Sequence, residues 1–361
     1  MAKILSIVTL PGTYSVSISR MATIYDEMHA DKEMIKKMKA LIRAGPVQQK
    51  HCFLPDFSQH VEEKVIYHSF TALPSTAERM KVYKKLALGI AEKASRLAIQ
   101  KAKSKNSEIT HLITFSCTGL YAPGLEFELS EGLELNPFLK KFTVNFMGCH
   151  AAFHALRLAH MIIESSDRAK VLLVGLEICS LHLNNNKSDD NLLANYLFSD
   201  GCAACVLAAS NPDPGLETVD FQSASFPQSK DMMAWDIGNL GFEMKLHRKL
   251  PAILKKNQND LLSSTFRQFG LDLSEINEFA IHPGGENILK AFEKALEIPA
   301  EKLRISHEIL AEFGNMSSVT ILFVLEKILK SPVKKEADPK AIYAAAFGPG
   351  VSLESALIMH H

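Results

Sequence analysis

Hydrophobic and polar positions along this chain follow two rhythms. Short apolar, β-branched runs at residues 3–10, 111–116, 142–146, 169–177, 201–209 and 279–281 predict buried strands. Between them the period lengthens. Leu86, Ile90, Ala94, Leu97 and Ala98 fall on one helical face, and helices are predicted over 151–165, 251–269, 286–296 and 317–330. Residues 21–50 are polar and helical in character. The tract Asn184-Asn185-Asn186-Lys187-Ser188-Asp189-Asp190 predicts a surface loop, and residues 341–347 and 351–359 predict a terminal hairpin around Gly348-Pro349-Gly350. Asn211-Pro212-Asp213-Pro214-Gly215 divides the chain into two halves, 1–210 and 211–361. Strands alternate with helices in both, which implies a layered α/β architecture.

A chain of 361 residues can bury a large core. Lys plus Arg equals Asp plus Glu at 40 each, so no basic excess points to nucleic acid or an anionic membrane surface. No apolar stretch approaches membrane-spanning length, and the first apolar run is too short for a signal core. Six scattered cysteines suit a reducing, cytoplasmic setting better than a disulfide framework.

The candidate chemistry begins at Cys149. It follows a predicted strand and the hinge Met147-Gly148, and it precedes a predicted helix. Free backbone N–H groups and the positive end of the helix dipole favour a thiolate there. His282 ends a strand before Pro283-Gly284-Gly285, and Asn315 opens a helix. A thiolate beside an imidazole attacks acyl carbonyls, and His and Asn donors can hold an oxyanion. Each residue also has a plainer reading: a core thiol, a strand-end histidine, a helix cap. A papain-like hydrolase would place its cysteine near the N-terminus in a different local motif. Cys202 and Cys205 have CxxC spacing without a second ligand pair and read as core, so no metal site is expected.

Met147-Gly148-Cys149, Ile281-His282-Pro283-Gly284-Gly285, Gly314-Asn315-Met316-Ser317-Ser318 and Phe347-Gly348-Pro349-Gly350 occur in the order and spacing of type III polyketide synthases, the chalcone-synthase-like enzymes, which the chain resembles over nearly its whole length. Leu197-Phe198-Ser199-Asp200-Gly201 is similar to the family's LFGDG segment, with Ser199 and also Ala346 standing in place of glycines. The resemblance implies a thiolase-like fold of two similar halves in an α-β-α-β-α arrangement. It implies Cys149, His282 and Asn315 as the catalytic set, and acyl-CoA and malonyl-CoA as substrates with no further cofactor. Phe198 and Phe242 are expected to gate the cavity. Cys117, Met233, His182, Gly348, Pro349 and Ser317 are expected to line it, and Lys37, Arg43, Gly285 and Asn287 to meet coenzyme A. A homodimer is expected, with the loop Leu120-Tyr121-Ala122-Pro123 reaching toward the neighbour. The run Trp235-Asp236-Ile237-Gly238 is more like bacterial alkylpyrone or alkylresorcinol producers and suggests a fatty starter. His150 is expected to be structural or peripheral to the cavity, and His360 and His361 to form an exposed tail. A priming ketoacyl synthase of the third type is the alternative, since it shares Cys, His and Asn in different surroundings.

Overall fold

The computed structural model describes residues 1–29, 31–209, 211, 214–225, 227–246, 265–331 and 339–361. Most of the predicted helix at 251–269 therefore lies outside the described residues. Nine strands form one sheet. In spatial order they are β11 (Glu278–Ile281), β12 (Lys340–Gly348), β13 (Ser352–His360), β8 (Leu216–Ser225), β1 (Ala2–Pro11), β7 (Asp200–Ala209), β6 (Lys170–Ile178), β4 (His111–Ser116) and β5 (Lys140–Asn145). Two hairpin-sized sheets pair β2 (Tyr14–Ser17) with β3 (Gln49–Cys52) and β9 (Met233–Gly238) with β10 (Gly241–Leu246).

The sheet repeats itself. On one side β4 and β6 are parallel, while β6–β7 and β7–β1 are antiparallel. On the other side β11 and β12 are parallel, while β12–β13 and β13–β8 are antiparallel. The two series meet where Ala2, Lys3 and Ile4 pair with Thr218, Glu217 and Leu216. The duplication lies in strand order and direction rather than in residue identity, which is why no repeat is visible in the sequence.

Between the two halves lie the helices Ala151–Ser165 and Thr320–Leu329. Both are apolar around most of their circumference, as an interior layer requires. They share one core with Ile113, Phe115, Val171, Leu173, Ala203 and Cys205 of the first half and Ala280, Ile342, Ala344 and Ile358 of the second. Alternate strand residues face the opposite way onto outer helices. The helix Thr76–Lys101 packs there through the fully buried ridge Ala87, Ala91, Ala94 and Ala98, while Leu97 is 40% exposed. Small residues let this helix lie close to β1, β6 and β7. Cys202 and Cys205 are core residues of β7.

Two expectations change. Residues 21–50 are not one helical stretch, because the chain forms helices Ile18–Met28 and Lys32–Ala44 and then β3. The terminal histidines are not both a solvent-exposed tail. His360 is buried in β13 and belongs to the sheet register, whereas His361 is exposed as expected, though it exchanges backbone hydrogen bonds with Gly215 and sits 3.3 Å from Glu217.

Candidate active site

The turn carrying Cys149 is built by two left-handed residues, Phe146 (φ 61°) and Gly148 (φ 79°), between β5 and the helix Ala151–Ser165. A Cβ at position 148 would run into the Pro349 ring. Glycine is therefore required by conformation and by space together. His282 follows β11 at the carboxyl end of a parallel strand pair, its N–H bonded to Ala345 O at 2.8 Å. Asn315 is clamped to the Phe198 segment by an isolated bridge, with Asn315 N–H to Leu197 O and Ser199 N–H to Asn315 O both at 2.9 Å. The Ser199 hydroxyl accepts from His51 N–H at 2.7 Å and donates to His51 O at 2.8 Å, so serine at this position fastens the same segment to β3.

Cys149, His282 and Asn315 open onto one cavity of about 50 Å³ with Phe198, Met233, Met244 and Phe347. The Asn315 side chain is oriented by its neighbours. Its Oδ1 accepts from Ser317 N–H at 2.9 Å, its Nδ2 donates to Gly284 O at 3.2 Å, and the amide also hydrogen-bonds the Cys149 thiol. Both ring nitrogens of His282 are buried without a hydrogen-bond partner among the described residues. Burial pushes the His282 imidazole down to about 3. Burial also pushes the Cys149 thiol up to about 12; the charge of Glu177 adds to this, while hydrogen bonds from Ser317 and Asn315 oppose it. Burial thus favours the neutral thiol and the neutral imidazole, and so opposes the helix dipole, which favours a thiolate. Moving the proton from sulfur to nitrogen keeps the pair's net charge at zero, so the ion pair avoids the penalty of burying either charge alone.

Glu177 was not singled out by the sequence. Its carboxylate is fully buried and accepts from Cys117 N–H, from Thr118 Oγ1–H at 2.7 Å and from the Ser318 hydroxyl. It holds the Cys117 turn and the Ser317-Ser318 loop in register beneath the nucleophile. Cys117 Sγ in turn accepts from Gly148 N–H at 3.0 Å.

The other expected residues sort by position. Cys117, Met233, Ser317 and Pro349 line an apolar space beside Cys149 of about 30 Å³, together with Cys179, Trp235 and Met244. Gly348 packs against His150, whose Nε2 is hydrogen-bonded to Ser352 Oγ at 2.7 Å. His182 is committed to the protein. Its Nδ1 accepts from Phe242 N–H at 3.0 Å, so its Nε2–H donates to Thr118 O at 2.7 Å, and its ring stacks on Phe242 at 4.1 Å. Phe242 is therefore turned onto His182 and lines an inner chamber, while Met244, one pleat further along β10, meets Phe198 at the Cys149 cavity. Strand alternation puts Phe242, Met244 and Leu246 on one face, which is the signal that could have found Met244.

Leu246, Leu193, Leu197, Gly284 and Ile288 are shared with an outer cavity of about 370 Å³, which Gly285 and Asn287 also line. Lys37 is ion-paired to Asp189 of that rim at 3.0 Å, and Arg43 is exposed in the last turn of the helix whose end, Ala44, lines it. No cluster of metal-ligating side chains occurs among the described residues.

A thiol, an imidazole and an amide converging on a cavity between duplicated sheet halves define a thiolase-like condensing fold. The signatures of the chalcone and stilbene synthases match the chain over residues 2–212 for the N-terminal domain and 219–361 for the C-terminal domain. The chain belongs to this family, the type III polyketide synthases. It is 32% identical over 297 residues to the alpha-pyrone synthesis polyketide synthase-like Pks18 of Mycobacterium tuberculosis, covering 80% of this chain and 75% of that one. It is 30% identical to a putative chalcone synthase of Bacillus subtilis, covering 98% and 97%. It also matches the probable polyketide synthase 1 of Dictyostelium discoideum at 27% identity, spanning 97% of this chain but only 11% of that much longer protein. Among solved structures, PKS-I of the brown alga Ectocarpus siliculosus superposes with a TM-score of 0.94 at 22% identity, covering 100% of this chain and 98% of that one. No helix among the described residues is long and apolar enough to cross a membrane.

Proposed function

We propose that this type III polyketide synthase loads an acyl-CoA starter, a fatty one, onto Cys149, extends it with malonyl-CoA, and releases a pyrone or resorcinol-type product. The observation that carries this reading is the convergence of Cys149, His282 and Asn315 on one cavity joined to a surface mouth. His282 takes the thiol proton as sulfur attacks the thioester. Its unpartnered nitrogen and the Asn315 amide N–H that faces Cys149 then hold the malonyl carbonyl oxygen as carbon dioxide leaves, so the carbanion forms as a held enolate and needs no strong base. Phe198 and Met244 guard the passage and exclude water. The spaces around Cys149 are small, but Met233 and Met244 on their walls are unbranched and can repack around an alkyl chain. Gly285 and Asn287 would meet the coenzyme arm at the mouth, with Lys37 or Arg43 near its phosphates.

A homodimer operating in the cytoplasm fits the open edge of β5, the exposed Phe142 and Met147 beside it, and six free cysteines. Light scattering of the purified protein checks this, and a monomer at micromolar concentration counts against it. The catalytic reading is tested by incubating the protein with malonyl-CoA and acyl-CoAs of graded length, followed by mass spectrometry. A cyclised product whose mass tracks the starter is expected. Strict dependence on an acyl carrier protein with a linear β-ketoacyl product favours the ketoacyl synthase alternative. Acyl release without malonyl-CoA favours a hydrolase.

A further inference from the structure

Beyond the Cys149 cavity lies a more polar inner chamber, and the two spaces share Cys179, Phe198, Trp235 and Met244 as walls. Lys50, Ser180, His182, Asn191 and Asn195 supply its polar lining. Most of these groups are already committed. Ser180 Oγ–H donates to Asp200 at 2.6 Å, and His182 has both nitrogens bonded. Asn195 Nδ2 donates to Asn184 O at 2.7 Å, and Asn191 Nδ2 donates to Asn184 O at 2.8 Å.

Lys50 is the exception. It is 5% exposed, and its ammonium, with three donors, has a single hydrogen bond, to Asn195 O at 2.7 Å. It makes no ion pair among the described residues. Asp200 is close enough to attract it, but that carboxylate is already satisfied by Phe53 N–H at 2.8 Å and by Ser180 N–H at 2.7 Å and its hydroxyl. A buried ammonium with donors to spare on a cavity wall is a costly arrangement unless an oxygen-rich guest completes it. Burial accordingly pulls the Lys50 ammonium below the ordinary lysine range, and an arriving anion offsets that penalty.

We propose that Lys50 forms a subsite for the enolate oxygen of the β-dicarbonyl chain, holding its distal keto group while the ring closes. This rests on the polyketide reading above. A methylene between two carbonyls is far more acidic than that of a simple ketone, so the extended chain is the anion this reading generates inside the cavity. In lactonisation the other oxygen of the same delocalised enolate, two carbons nearer the sulfur, attacks the Cys149 thioester carbonyl and a C–O bond replaces the C–S bond. The departing sulfur takes up the proton given up on enolisation. Lys50 makes and breaks no bond; it stabilises the enolate and orients it.

Acetylacetone, the smallest β-diketone, tests the subsite without turnover. Titrated into the protein, it is expected to gain enolate absorption with wild type and K50R, and to bind about ten-fold more weakly to K50M and K50Q. An equal signal in both neutral variants, or none in a wild-type protein whose Cys149 is acylated by acyl-CoA, overturns the proposal. With acyl-CoA and malonyl-CoA, K50M and K50Q should still acylate Cys149 and release coenzyme A, while product shifts from ring to open-chain acid by about five-fold or more. An unchanged partition in a folded neutral variant overturns it as well. Failure of wild type to acylate Cys149 with any acyl-CoA sinks the polyketide reading instead, and the diketone titration still decides Lys50.

Discussion

At the scale of single residues, the site works by withholding water rather than by supplying charge. Burial disfavours the charged forms of both Cys149 and His282, and the two line the same cavity. Cys149→Ala should therefore abolish starter acylation, seen as loss of the acyl mass shift, and lower condensation by at least about a thousand-fold. Residual turnover above one per cent would remove the thiol from the mechanism. His282→Gln keeps a donor but loses the proton acceptor. It should slow acylation by about a hundred-fold or more while leaving the fold intact, which single-turnover mass spectrometry reads directly. Ser199→Ala should destabilise the protein by about 1–2 kcal/mol, because the backbone donor and acceptor of His51 both lose their partner. Denaturant unfolding measures it.

At the scale of elements, the tight turn before the nucleophile is the most constrained feature. Gly148→Ala combines a left-handed backbone with a collision against Pro349, so a loss of about 3 kcal/mol or more is expected, together with loss of acylation. A thermal scan and an acylation assay on the same sample check it. Such local signals are what made much of the site legible. Gly148, the Pro283-Gly284-Gly285 break and the Gly314-Asn315 loop each announce a turn in a few adjacent letters, and the hairpin at Gly348-Pro349-Gly350 stands at 340–348 and 352–360. The cavity walls were not legible in this way. Lys50 comes from β3, Cys179 from the turn after β6, and Met244 from β10, so their meeting depends on long-range packing that no local pattern encodes. The helix Thr76–Lys101 makes the same point. Of the expected face Leu86, Ile90, Ala94, Leu97 and Ala98, the alanines are fully buried while Leu97 is 40% exposed, because the close approach to the sheet selects small side chains.

At the scale of the whole molecule, buried neutral imidazoles tie stability to pH. His150, His182 and His282 are each pushed down to about 3 by burial, far below the 6.5 of an exposed imidazole. Below about pH 6.5 the unfolded chain takes up protons that the folded one refuses, so stability is full above that value and falls as pH drops toward 3. Unfolding midpoints from pH 7 to 4 should fall steeply, and His150→Phe should make the slope shallower. A slope that His150→Phe leaves unchanged would mean the imidazole at 150 is not buried neutral. The arrangement of the sheet carries a different consequence. Because β1 pairs with β7 along its length but with β8 only at Ala2, Lys3 and Ile4, the first half of the chain can close its own strands while leaving that short margin of β1 unzipped until later residues emerge. During synthesis that bare margin is a sticky template for another nascent chain. A fragment ending near residue 210 should consequently clump where the 361-residue chain stays dispersed.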